Sequence, residues 1–164
     1  MKQFLALAAA VLVGCSGSIV ETPSADVFFG ETQIDLTVDS EFSAEQRASI
    51  QLGFEFWLAE LPELEITTET SNCDQSEFGC FAAVEADSEA LELHGEQALG
   101  VYRAGAVVLS VALEGEDLAL AAAHEFGHLI GLGHGDGIME EFLSDCSWNV
   151  GETATSELEE MGLK

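Results

Sequence analysis

Basic residues are what this chain has least of. Its 164 residues carry only 4 lysines and arginines against 31 aspartates and glutamates, a net charge of -27. A surface of that sign repels phosphate backbones, so no nucleic-acid partner is expected. It attracts divalent cations and basic peptides, and it keeps a protein soluble equally well. No apolar run reaches the roughly 18 residues that a membrane-spanning helix requires. Internal repeats and long low-complexity stretches are missing too, which argues against a structural or adhesive surface protein. The length suits one domain with a real core, and a 48% hydrophobic content sets the chain apart from disordered tails. Histidine and cysteine are rare, with four of each.

The first residues, MKQFLALAAAVLVGCSGS, read as an address and not as fold. One lysine precedes an apolar run from Phe4 to Val13, the pattern of a signal peptide. Leu12-Val13-Gly14-Cys15 resembles the lipobox of bacterial lipoproteins. That resemblance implies that residues 1–14 are a signal peptide and that Cys15 becomes the lipidated first residue. It further implies a membrane partner through the lipid at Cys15 and a place in the bacterial cell envelope. Ser16 after the cysteine points to the outer membrane. Residues 15–26 are small, polar and proline-containing, as a tether would be.

With Cys15 on the membrane, Cys73, Cys80 and Cys146 remain, in an oxidising compartment. Cys73 and Cys80 flank a short acidic loop, and a disulfide between them is the first choice; pairing of Cys146 with either one competes with it. The rest of the chain, 27–164, reads as one α/β domain. Alternation of Ile34, Leu36 and Val38 predicts a strand over 32–39. Ser43 and Gln46 form a capping-box pair ahead of Ile50, Phe54, Trp57, Leu58 and Leu61, which recur at helical spacing until Pro62. Further strands are expected at 64–70 and 80–86, and two more around Arg103–Gly105 within 98–113. A helix through EDLALAAAHEFGHLIG, a glycine-rich turn and a closing helix from about residue 154 complete the chain.

Three of the four histidines, His124, His128 and His134, fall within AAHEFGHLIGLGHGDGIM. On a helix, His124 and His128 lie four residues apart on one face, where both can bind one metal. Gly131 permits a left-handed turn that swings the chain back and brings His134 to the same point. Three neutral imidazoles leave a fourth tetrahedral position open, which is the catalytic and not the structural pattern of zinc. Glu125 stands beside the first ligand, within reach of a water at that position.

The pattern His124-Glu125-x-x-His128-x-x-Gly131-x-x-His134 resembles the zinc signature of the metzincin endopeptidases, and its wording is closest to the matrixin branch. Residues 124–139 carry the resemblance directly, and the order of elements extends it loosely over 27–164. It implies a twisted, mostly parallel sheet of about five strands with one antiparallel edge strand, packed on an active-site helix and a backing helix. It also implies one catalytic zinc on His124, His128 and His134, with Glu125 as general base in hydrolysis of a peptide or protein substrate. A structural calcium ion is compatible with the sequence, though no motif calls for one. Met139 is the candidate for the family's methionine turn beneath the metal, although it follows His134 by fewer residues than is usual. The family's substrate-holding edge strand falls, by order, on 99–103, with Gly100, Val101 and Tyr102 at its centre. Asp136 reads either as support for a ligand histidine or as an exposed turn residue. A monomer is expected. The alternative to a protease is a zinc-binding envelope lipoprotein without catalysis.

Overall fold

The computed structural model describes residues 32–93, 96–140 and 148–163. Cys15 with its signal and tether, His94 and residues 141–147, including Cys146, lie outside them. Strand β1 (Gln33–Asp39) buries Ile34, Leu36 and Val38 as the alternation predicts. Helix α1 (Ala44–Glu60) opens on the expected capping box, in which Ser43 Oγ accepts from the Gln46 amide at 3.1 Å and Gln46 Oε1 accepts from the Ser43 amide at 2.9 Å. The Gln46 Nε2 also donates to the carbonyls of Val111 and Leu113, at 2.8 and 3.1 Å. The same side chain therefore caps one helix and holds the approach to the next.

Strands β2 (Glu65–Ser71) and β3 (Cys80–Val84) follow, joined by a loop that the Cys73–Cys80 disulfide closes with its Cα atoms 5.9 Å apart. A short hairpin, β4 (Glu92–Leu93) and β5 (Glu96–Gln97), was not foreseen from sequence. Then come β6 (Gly100–Arg103) and β7 (Ala106–Ser110), linked by Ala104 and Gly105 at φ 48° and 87°. Two left-handed residues make the tight turn whose twist matches that of the flanking strands. The five-stranded sheet runs β2-β1-β3-β7-β6. All its pairings are parallel except β6 with β7, so the antiparallel strand stands at the edge.

Helix α2 (Gly115–Leu129) packs along α1. Gly53 makes the approach possible, since a Cβ there would lie 2.7 Å from the Ala119 carbonyl oxygen and 2.9 Å from the Ala123 amide nitrogen. Ala119, Ala122 and Ala123 keep the facing side of α2 equally thin. Trp57 Nε1 donates to the Ala123 carbonyl at 2.7 Å, and Phe54 meets Phe81 and Phe126 at ring-centre distances of 4.9 and 5.6 Å. These contacts fix the helix that carries His124 and His128 against the rest of the core. Helix α3 (Gly151–Met161) closes the described chain and starts earlier than the sequence suggests. Among the described residues, no helix is long and apolar enough to cross a membrane.

Candidate metal centre

Helix α2 ends in a way that aims its histidines. At its C-terminus the Gly131 amide bonds to the His128 carbonyl at 3.0 Å and the Leu132 amide to the Gly127 carbonyl at 2.9 Å, with Gly131 at φ 101°. This double closure needs a left-handed residue, and glycine adopts that conformation without a Cβ penalty. It turns the Leu132 carbonyl back to the His128 ring, whose Nδ1 lies 2.8 Å away. Further on, a 3-10 turn over Gly137–Met139 presents the Ile138 carbonyl 2.9 Å from His124 Nδ1. A carbonyl oxygen only accepts, so both Nδ1 atoms carry the ring proton and both Nε2 atoms are left with a lone pair.

Those lone pairs converge. His128 Nε2 is 3.1 Å from His124 Nε2 and 3.1 Å from His134 Nε2, and the three ligand atoms lie within 4.8 Å of one another. A tetrahedral ion at zinc–nitrogen distances of about 2.0–2.1 Å needs nitrogens about 3.3 Å apart, close to both spacings that His128 makes, so the group could hold an ion such as zinc. Two unprotonated nitrogens at 3.1 Å repel each other unless a cation lies between them. Loss of water around the His124 ring, and next the charge of His128, hold its pKa down to about 3 from 6.5. The same loss of water, and then His134, hold His128 down to about 4. The rings are therefore neutral and ready for a metal at ordinary pH.

These shifts have a consequence for the metal-free chain. Unfolded histidines take up protons below about pH 6.5 while the folded ones refuse them to about pH 4, so acidification through this window favours unfolding. The net charge of -27 works the other way, since protonating carboxylates relieves their repulsion. The histidine part is isolated by difference. Between pH 7.5 and pH 5, the chelator-treated wild type should lose more urea resistance than His124→Gln does. Equal losses would mean that the buried ring is not kept neutral by the fold.

Glu125 is buried on α2, 4% exposed, and packs on the edge strand: a Cβ at Gly100 would lie 3.0 Å from its Cγ and Oε1. Gly100 thus gives the carboxylate its room. Tyr102, on the same strand, has its ring centre 6.3 Å from that of His128. Met139 is fully buried with its sulfur against Gly127, where any added methyl group would overlap it. Gly127 directly precedes His128 on α2, so Met139 packs against the backbone of the helix that carries the two histidines. The five-residue link from His134 to Met139 closes through a bond from the Gly135 amide to the Met139 carbonyl at 2.9 Å.

The Asp136 carboxylate is taken up by helix α3. Its Oδ2 and Oδ1 accept from the amides of Glu152 and Thr153 on α3, at 2.9 and 3.0 Å. Those two amide bonds hold its pKa down to about 2. Sequence reasoning also missed the carbonyls of Leu132 and Ile138, because a backbone acceptor leaves no mark in residue type.

The histidine cluster on α2 and the turn after it, beside a five-stranded mixed sheet, is consistent with a metzincin-like zinc site and could hold a metal ion such as zinc. No protein-family model and no curated protein matches the chain.

Proposed function

We propose that the protein is a zinc-dependent endopeptidase of the metzincin type, in the matrixin branch, anchored in the bacterial cell envelope through Cys15. The observation that carries this reading is the convergence of three histidine Nε2 atoms next to a buried glutamate that faces an edge strand. A purely structural zinc site needs neither the open position nor the carboxylate.

When bound on His124, His128 and His134, zinc supplies Lewis acidity toward a peptide carbonyl and toward water. Glu125 takes the proton of the attacking water as its oxygen bonds to the carbonyl carbon, then passes that proton to the departing amide nitrogen as the C–N bond breaks. The Nδ1 protons of His124 and His128 stay on the carbonyls of Ile138 and Leu132, which keeps both Nε2 atoms aimed inward throughout. Strand β6 accepts the substrate as an added strand, and main-chain bonds hold it independently of its side chains. Because Gly100 touches the Glu125 carboxylate, a peptide lying on β6 passes within reach of the base.

The test is cleavage of a mixed peptide library by the chain stripped with a chelator, and by the same sample after zinc is returned. New peptide termini should appear only with zinc, at one ion per chain. Stoichiometric zinc without cleavage would instead identify a zinc-binding envelope lipoprotein.

A further inference from the structure

We propose that Asp136 is a positioning residue for the third metal ligand, His134, and that it acts by clamping the ligand loop to helix α3; this rests on the three-histidine reading of the metal site. Helix α3 lacks a cap of its own. Its N-cap residue is Val150, in helical conformation and with no side chain able to accept from the first turn. The orphan amides at the second and third helical positions are those of Glu152 and Thr153. Asp136, from a different part of the chain, accepts both. Its negative charge also meets the positive end of the helix.

The fit is built on both sides. Gly151 stands at φ 76°, and a Cβ there would lie 2.5 Å from the Asp136 carbonyl oxygen and 2.6 Å from its Oδ1. Gly135 lies against Thr153, where a Cβ would come within 2.8 Å of the threonine Cβ. Two more bonds tie the loop to α3 and its approach. The Gly133 amide donates to Glu157 Oε2 at 3.0 Å, and the Ile138 amide donates to the Asn149 carbonyl at 2.7 Å.

His134 therefore sits between two anchor points, Gly133 and Asp136, both held by α3. Its loop contains Gly133, Gly135 and Gly137, a run with wide conformational freedom when unrestrained. The clamp removes that freedom. It also steadies Ile138, whose carbonyl takes the Nδ1 proton of His124, so two of the three ligands depend on it. Without the clamp the loop spends less time in place, and apparent zinc affinity falls by the fraction lost.

The experiment measures zinc affinity of the purified chain by competition with a chromophoric chelator, beside urea unfolding. The variants are Asp136→Ala, Asp136→Asn and a remote core change, Ile34→Val. Asp136→Ala should bind zinc about tenfold more weakly or worse, the loss expected if the loop is in place a tenth of the time. Asp136→Asn keeps one accepting oxygen and should fall between it and the wild type. Ile34→Val should lower the urea midpoint and leave zinc affinity alone. If Asp136→Ala does not fold, Asp136→Asn decides: weaker binding supports the clamp and wild-type binding overturns it. Equal affinity in Asp136→Ala and wild type, or equal weakening in Ile34→Val, overturns the clamp alone. A wild type that takes up no zinc overturns the clamp together with the metal-site reading.

Discussion

Glu125→Gln is expected to cut the rate of peptide cleavage by about 10²–10⁴-fold, the range that general acid–base groups supply. Glutamine has the size and shape of glutamate, so it should keep the packing against Gly100 and leave the edge strand in place. It cannot take a proton from water or carry one to a leaving nitrogen. The loss should therefore appear in kcat, with KM little changed, because no substrate contact is removed. Zinc content should match the wild type, since the ligand nitrogens belong to His124, His128 and His134. Steady-state kinetics on one cleaved peptide, with metal analysis of the same samples, reads both. Unchanged kcat would remove Glu125 from the chemistry. A variant that loses zinc as well would make the carboxylate part of the architecture of the site.

The parts of the fold that could be read in advance are those whose cause lies within a few residues. Ser43 and Gln46 reach each other across one helical turn, and the bonds form as the spacing requires. His124 and His128 share a helix face for the same reason, and Gly131 closes the helix because a left-handed residue is needed there. The metzincin resemblance implies an antiparallel edge strand at 99–103, and β6 stands at the sheet edge there. What could not be read depends on distant partners or on backbone groups. Helix α3 starts at Gly151 and not near residue 154 because its cap comes from Asp136, outside its own neighbourhood. Strands β4 and β5 are two residues each, too short for any alternation to show. Leu58 has helical spacing yet is only half-buried, since the face of α1 against α2 and the sheet is set by Ile50, Phe54 and Trp57. The Cys73–Cys80 disulfide, by contrast, forms as the short acidic loop between the two cysteines suggests.

Zinc should stabilise this domain strongly, and His128→Ala should erase the effect. In the metal-free fold, the Nε2 lone pairs of His124 and His128 face each other at 3.1 Å, each with its proton already committed on the other side of the ring. Unfolding separates the rings and returns them to water, so the folded metal-free chain bears a cost that a bound cation removes. At a free zinc concentration a thousandfold above Kd, the gain in folding stability is about 4 kcal/mol. His128 is the residue to remove, because its Nε2 lies 3.1 Å from both other ligand nitrogens and links them into one site. Its loss should leave two nitrogens, too few to fix a catalytic zinc. With chelator present, the variant should lose less than an ordinary core truncation would. Relief of the facing lone pairs offsets part of the lost packing and of the bond to the Leu132 carbonyl. Urea midpoints for both proteins, with and without zinc, separate these contributions. A midpoint in His128→Ala that still rises with zinc would place the metal elsewhere; a wild type indifferent to zinc would mean that the three histidines hold no metal.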